Sequence, residues 1–182
     1  GLYGHAVTVD GVTVNIYSME PEYVWSAGDS TVGVFCHEYG HVLGLPDLYD
    51  TDGSCEGLGD WSLMAGGSWN GSGGSSPAYP DAWCKIELGW ITPLAPTAND
   101  IAASIPYAED NPFAYQLWTQ GVIGTEYFLL ENRQPVGFDA ALDGDGLLLY
   151  HVDEDASQTD DWHPKVMVEQ ADGLWDLQNN TN

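Results

Sequence analysis

Between His37 and Asp47 the chain reads His37-Glu38-Tyr39-Gly40-His41-Val42-Leu43-Gly44-Leu45-Pro46-Asp47, and this run constrains its surroundings more than any other. In an α-helix each residue advances the azimuth by ~100°, so His37 and His41 fall ~40° apart on one face and their rings can converge. Glu38 lies ~100° round from His37, beside a shared ion rather than on it. Gly44 suits the positive φ of a helix-ending turn and Pro46 stops the helix from continuing. The reversed chain then brings Asp47 back towards the imidazoles.

Two histidines and one carboxylate, with a fourth position open, make a catalytic zinc site; four protein ligands would make a structural one. A zinc-bound water ionises near neutral pH, and Glu38 is placed to accept its proton and return it to a leaving amine. The expected site is therefore His37, His41 and Asp47 as metal ligands and Glu38 as general base. A bare HExxH run also occurs by chance on ordinary helices, but here the pattern extends through Gly44 and Asp47. The opposite helix face, Val32, Phe35, Tyr39, Val42 and Leu43, predicts packing against a core. Gly33, Gly40 and Gly44 predict open space over the metal, and Asp29 and Ser30 are N-cap candidates.

The 182 residues suffice for one domain with a substantial core, and 43% hydrophobic residues with eight tryptophans exclude disorder. No run approaches the ~20 apolar residues of a membrane span. Lys85, Arg133 and Lys165 oppose 28 acidic side chains, for a net charge of −25. Such a surface repels nucleic acid and anionic membranes and suits divalent cations or saline, extracellular surroundings. Among the three cysteines, Cys36 falls on the apolar helix face as a buried thiol, and Cys55 and Cys84 are candidates for a disulfide if the protein is exported.

Alternation of Val7, Val9, Val12, Val14 and Ile16 around Asp10-Gly11 predicts a hairpin. Tyr17 to Tyr23 reads as a continuing edge strand. Residues 46–80 form a long Gly-, Ser- and Asp-rich stretch containing Met64, placed either as a soft floor beneath the histidines or as an ordinary core residue. Asp81 to Leu88 predicts a short helix ended by Gly89, and residues 114–118, 127–131 and 147–152 predict strands. Asp50-Thr51-Asp52-Gly53, Asp143-Gly144-Asp145-Gly146 and Asp153-Glu154-Asp155 are partial calcium-loop signals or solvated turns. Tyr79 is a candidate for steadying an oxyanion, or a packing residue. His151 reads as a hydrogen-bonded structural histidine.

Six blocks in order, HEYGHVLGLPDLYDTDG (37–53), GDWSLMAGGSWNG (59–71), AWCKIELGW (82–90), FLLENRQ (128–134), GLLLYHVDE (146–154) and VEQADG (168–173), resemble the catalytic domain of the immune inhibitor A family of secreted bacterial zinc metallopeptidases. The resemblance implies zinc at His37, His41 and Asp47 with Glu38 as base. It implies an α+β, metzincin-like fold with an active-site helix, Met64 in a methionine turn and a β-rich C-terminal subdomain. Structural calcium, export and cleavage of extracellular proteins are implied with it. Residues 1–182 then make one catalytic domain, 1–45 ending in the metal helix and 46–182 loop- and β-rich, truncated at both ends relative to such peptidases. A different class of protein, a calcium-dependent binding or adhesion module with a vestigial protease site, also fits the acidity and the short segment before His37.

Overall fold

The computed structural model describes residues 2–99, 103–118 and 121–181. It is a mixed α/β structure. Strands β1 (Leu2–Val9) and β2 (Val12–Ser18) form an antiparallel hairpin. Asp10 and Gly11 both have positive φ, 52° and 80°, the turn that matches strand twist and that an Asp-Gly pair supplies. The strand signal stops at Ser18: residues 19–31 are irregular rather than an edge strand. Asp29 explains part of this, because its carboxylate accepts the amides of Val24, Trp25 and Ser26 and curls the chain around itself.

Helix α1 spans Val32–Val42. Its N-cap is Thr31, without a side-chain cap bond, so Asp29 and Ser30 do not cap it. At the other end Gly44 has φ 106°, its amide donates to His41 and the Leu45 amide donates to Gly40. This pair of bonds is the glycine-terminated helix stop expected of Gly44.

Which face α1 buries departs from the pattern of its apolar residues. Gly33, His37 and Gly40 are buried, whereas Phe35 and Tyr39 are 45% and 58% exposed, and Val32 and Leu43 also face outward. Phe35, Tyr39 and Leu43 of the stripe instead line, with Pro77, Trp90 and Phe138, an apolar cavity of ≈ 570 Å³. The cause is the glycines, which leave no open space at two of the three positions. A Cβ on Gly33 would stand 1.9 Å from the Ser68 carbonyl oxygen, and one on Gly40 2.5 Å from Met64 Sδ. Hydrogen at those positions lets the 62–74 loop press against the histidine side of the helix. Only Gly44 faces open space as expected.

The 46–80 stretch is loop-rich, with short 3₁₀ turns at Gly59–Trp61 and Gly66–Trp69. Helix α2 (Ala82–Glu87) is capped by Asp81, which accepts from the Cys84 amide, and ends before Gly89 at φ 67°. Strands β3 (Tyr115–Trp118), β4 (Glu126–Arg133), β5 (Gly146–Asp153) and β6 (Val166–Val168) form one antiparallel sheet in chain order. The first three were expected; β6 is too short to show a period. A final turn of helix, α3 (Asp176–Asn179), docks Leu177 into the core.

Tyr127 and Leu129 on β4, Tyr150 and Val152 on β5 and Val166 on β6 meet Trp83, Leu48, Leu58 and Met64 in one core. Glu131 and Arg133 continue the same inward face of β4, so charge is buried at its end. Cys36, Cys55 and Cys84 are free thiols, so the Cys55–Cys84 disulfide does not form, and Cys36 is half-buried rather than buried. No helix among the described residues is long and apolar enough to cross a membrane.

Candidate metal centre

His37 and His41 project from the last turns of α1, and the glycine stop at Gly44 returns the chain so that Asp47 meets them. The His37 Nε2, His41 Nε2 and Asp47 Oδ1 atoms are each 3.1 Å from the other two. Tetrahedral zinc with ligands at about 2.0–2.1 Å puts neighbouring donor atoms roughly 3.3–3.4 Å apart, so this triangle fits one such ion. The other ring nitrogens are committed: His37 Nδ1 lies 2.9 Å from the Leu63 carbonyl and His41 Nδ1 2.8 Å from that of Leu45. A carbonyl only accepts, so each Nδ1 carries the proton and each Nε2 presents a lone pair to the centre.

Asp47 Oδ1 is buried and, among the described residues, makes no hydrogen bond. Three electron-rich atoms thus face one another, an arrangement that costs free energy unless a cation or a proton sits between them. The electrostatics agree. Burial opposes protonation of His37, but Asp47 and the Leu63 carbonyl outweigh it and raise its pKa. Burial likewise pushes the Asp47 carboxyl up, but the two imidazoles beside it hold it below the ordinary range.

Glu38 is half-buried and lines, with His37, Val34 and Tyr49, a cavity of ≈ 490 Å³ beside the triangle. It is absent from the converging set, as the helix wheel requires of a residue ~100° away. Tyr49 was not singled out by the sequence. Its ring stacks on His37, with centroids 6.1 Å apart and planes at 26°, and its hydroxyl is near enough to the Asp47 carboxylate to help hold that carboxyl's pKa down. Its place two residues after a ligand was the one available signal.

Met64 is fully buried with its sulfur against Gly40, and its carbonyl accepts the Leu48 amide at 2.8 Å. It therefore underlies both the helix and the Asp47 turn. Tyr79 lies elsewhere: it lines the apolar cavity behind α1, packed edge-on to Phe138. His151 pairs with Glu126 at 3.0 Å and His163 with Asp153 at 2.8 Å; the side chain of His5 lies outside the described residues.

Of the acidic turns, Asp50 alone joins a second group that could hold a metal, with Cys55 and Asp161. The Ser54 hydroxyl is 3.1 Å from Asp50 Oδ2 and 2.9 Å from each oxygen of Asp161, so one proton serves two carboxylates.

Residues 4–91 match the family described as immune inhibitor A peptidase M6, catalytic domain. The pre-pro-metalloprotease PrtV of Vibrio cholerae serotype O1 is 46% identical over 91 residues, 45% of this chain and 10% of that protein. Immune inhibitor A of Bacillus thuringiensis subsp. alesti is 52% identical over 64 residues, 34% of this chain and 8% of that protein. The matched stretch thus spans about a tenth of the length of these curated relatives. The stretch that matches the immune inhibitor A peptidase catalytic domain, residues 4–91, contains the whole triangle and the loop beneath it.

Proposed function

We propose that the chain is the catalytic part of a zinc-dependent endopeptidase acting on extracellular proteins or peptides. The observation that carries the reading is the 3.1 Å triangle of two imidazole lone pairs and a carboxylate oxygen, turned inward by backbone carbonyls behind both rings. His37, His41 and Asp47 would hold the ion, which supplies Lewis acidity towards a carbonyl and a water. Glu38 accepts the proton of the attacking water and delivers it to the departing amine. Tyr49 steadies Asp47 through its hydroxyl and His37 through its ring. Met64, packed under α1, plays the part of a metzincin-like methionine turn. The family match and the metalloprotease name of PrtV support the reaction class. The acidic surface supports an extracellular, saline setting.

Structural calcium belongs to the same reading, at Asp50 and Asp161, whose carboxylates meet over one hydroxyl. The Cys55 thiol is a poor calcium donor, so oxygens would carry that site.

The deciding experiment pairs zinc analysis with cleavage of a casein-type substrate for the wild type and Glu38→Gln. About one zinc per chain in both, with activity reduced roughly 10²–10⁴-fold in the variant, is the expected result. Equal activity in the two proteins would remove Glu38 from the reaction, and a chain that takes up no zinc would end the metallopeptidase reading.

A further inference from the structure

Arg133 is the one arginine of the chain and is fully buried. Its Nε and Nη2 donate to Asp139 Oδ2 and Oδ1, each at 2.8 Å, a bidentate pair. Its Nη1 donates to Glu131 and to the Trp61 carbonyl, both at 3.1 Å. Asp139 extends the hold: Oδ1 also accepts the Tyr79 amide at 2.8 Å, and the Tyr79 carbonyl accepts the Leu63 amide at 3.3 Å. One ion pair therefore fixes both flanks of Trp61-Ser62-Leu63, directly at the first residue and through Tyr79 at the third.

The metal ligands rest on the end of that segment. The Leu63 carbonyl holds His37 Nδ1. The Met64 carbonyl holds the Leu48 amide beside Asp47, and Met64 Sδ fills the space at Gly40 beside His41. Residues 63 and 64 thus touch His37 directly and the chain neighbours of His41 and Asp47, at Gly40 and Leu48. A buried ion pair contributes little net stability over an apolar replacement, but a bidentate pair adds geometric specificity.

We infer that Arg133 and Asp139 are positioning residues of the metal centre, holding the 61–64 segment in the register that aims His37 and Asp47 at one point. The inference rests on the zinc reading above and concerns residues outside the ligand set.

The test reads zinc affinity, by competition with a chromophoric chelator, in the wild type, Asp139→Ala, Asp139→Asn and Lys85→Met. Asp139→Ala is expected to weaken zinc on the order of 10–100-fold, the range for outer partners of metal ligands. Asp139→Asn keeps an oxygen for the Tyr79 amide and should recover most of that loss. Lys85→Met breaks the neighbouring ion pair with Glu131, 2.6 Å long, without touching Leu63, and should leave the affinity of the folded protein unchanged. Equal weakening in Asp139→Ala and Lys85→Met, or none in Asp139→Ala, overturns the inference.

Should Asp139→Ala fail to fold, hydrogen exchange on the wild type decides the matter. Coupling is reciprocal, so zinc must slow exchange of the Leu63 and Tyr79 amides; unchanged exchange there overturns the inference equally. A wild type that binds no zinc removes the metallopeptidase reading itself, a result distinct from zinc that binds but ignores Asp139.

Discussion

At the end of β4, Arg133 and Lys85 stand against Glu131 and Asp139, all within 3.1 Å of a partner and, Lys85 apart, fully buried. At the end of α1, His37, His41 and Asp47 are brought equally close, yet none of the three supplies a fixed positive charge. The first cluster contains its own fixed cations, two of them among three carboxylates, since Glu109 also lies 3.5 Å from Arg133. The second has its rings aimed, its turn closed and its acceptor atoms converged on one point, with no fixed cation among them. Both regions bury charge, and the difference in charge balance separates a structural device from a binding site.

That contrast breaks most directly at the ligands. His37→Ala should weaken zinc by more than the roughly 100-fold ceiling for outer partners, measured by equilibrium dialysis, while urea unfolding of the zinc-free protein changes little. A large loss of zinc-free stability instead would make His37 a core residue first.

The opposite variant acts on the other cluster. Glu131→Gln leaves Lys85 and Arg133 short of one counter-charge, and the expected cost is about 3–5 kcal/mol in urea unfolding, with zinc still bound wherever the protein is folded. Zinc lost from a folded Glu131→Gln protein would merge the two regions into one.

Gly33→Ala probes the contact that presses the loop onto α1. Its Cβ would meet two backbone oxygens, those of Ser68 and Gly74, that cannot swing aside. A cost of about 1–3 kcal/mol is expected. Gly40→Ala should cost less, because it meets the flexible end of Met64. Equal stability of the two variants would show that the loop yields.

Acidification should separate the regions again. Protons compete with the metal at His37, whose pKa is raised, so zinc is released as pH falls through the imidazole range. Glu131 is the reverse case: burial raises its pKa, but Lys85 and Arg133 outweigh it and hold it low. Its contribution is present above the ordinary carboxylate range and is lost only as pH falls through that lowered value. Zinc release and sheet unfolding should therefore form two transitions, readable by chelator dye and near-UV circular dichroism. A single shared midpoint would contradict this.

The smallest effect is at Tyr49→Phe, which removes one hydroxyl from Asp47 at a cost of about 0.5–1.5 kcal/mol in zinc binding. No change would reduce Tyr49 to its ring contact with His37.

The run from His37 to Asp47 by itself determined the convergence of the proposed ligands, because helical spacing, a glycine stop and a proline are local properties that operate wherever the segment lies. The Asp10-Gly11 hairpin, the short α2 helix and the strands β3 to β5 were legible for the same reason: turn chemistry and period are written in neighbouring residues. The buried face of α1 was not legible. Its apolar stripe pointed one way, and only the tertiary structure brought the 62–74 loop against Gly33 and Gly40 and so turned the histidines inward. Arg133 was equally mute in sequence, one cation in an acidic chain, until β4 carried it to Asp139, Trp61 and the loop under the metal ligands. Local geometry follows from adjacent side chains, whereas which surface is covered, and what steadies a ligand from a distance, depends on segments that meet only when the chain has folded.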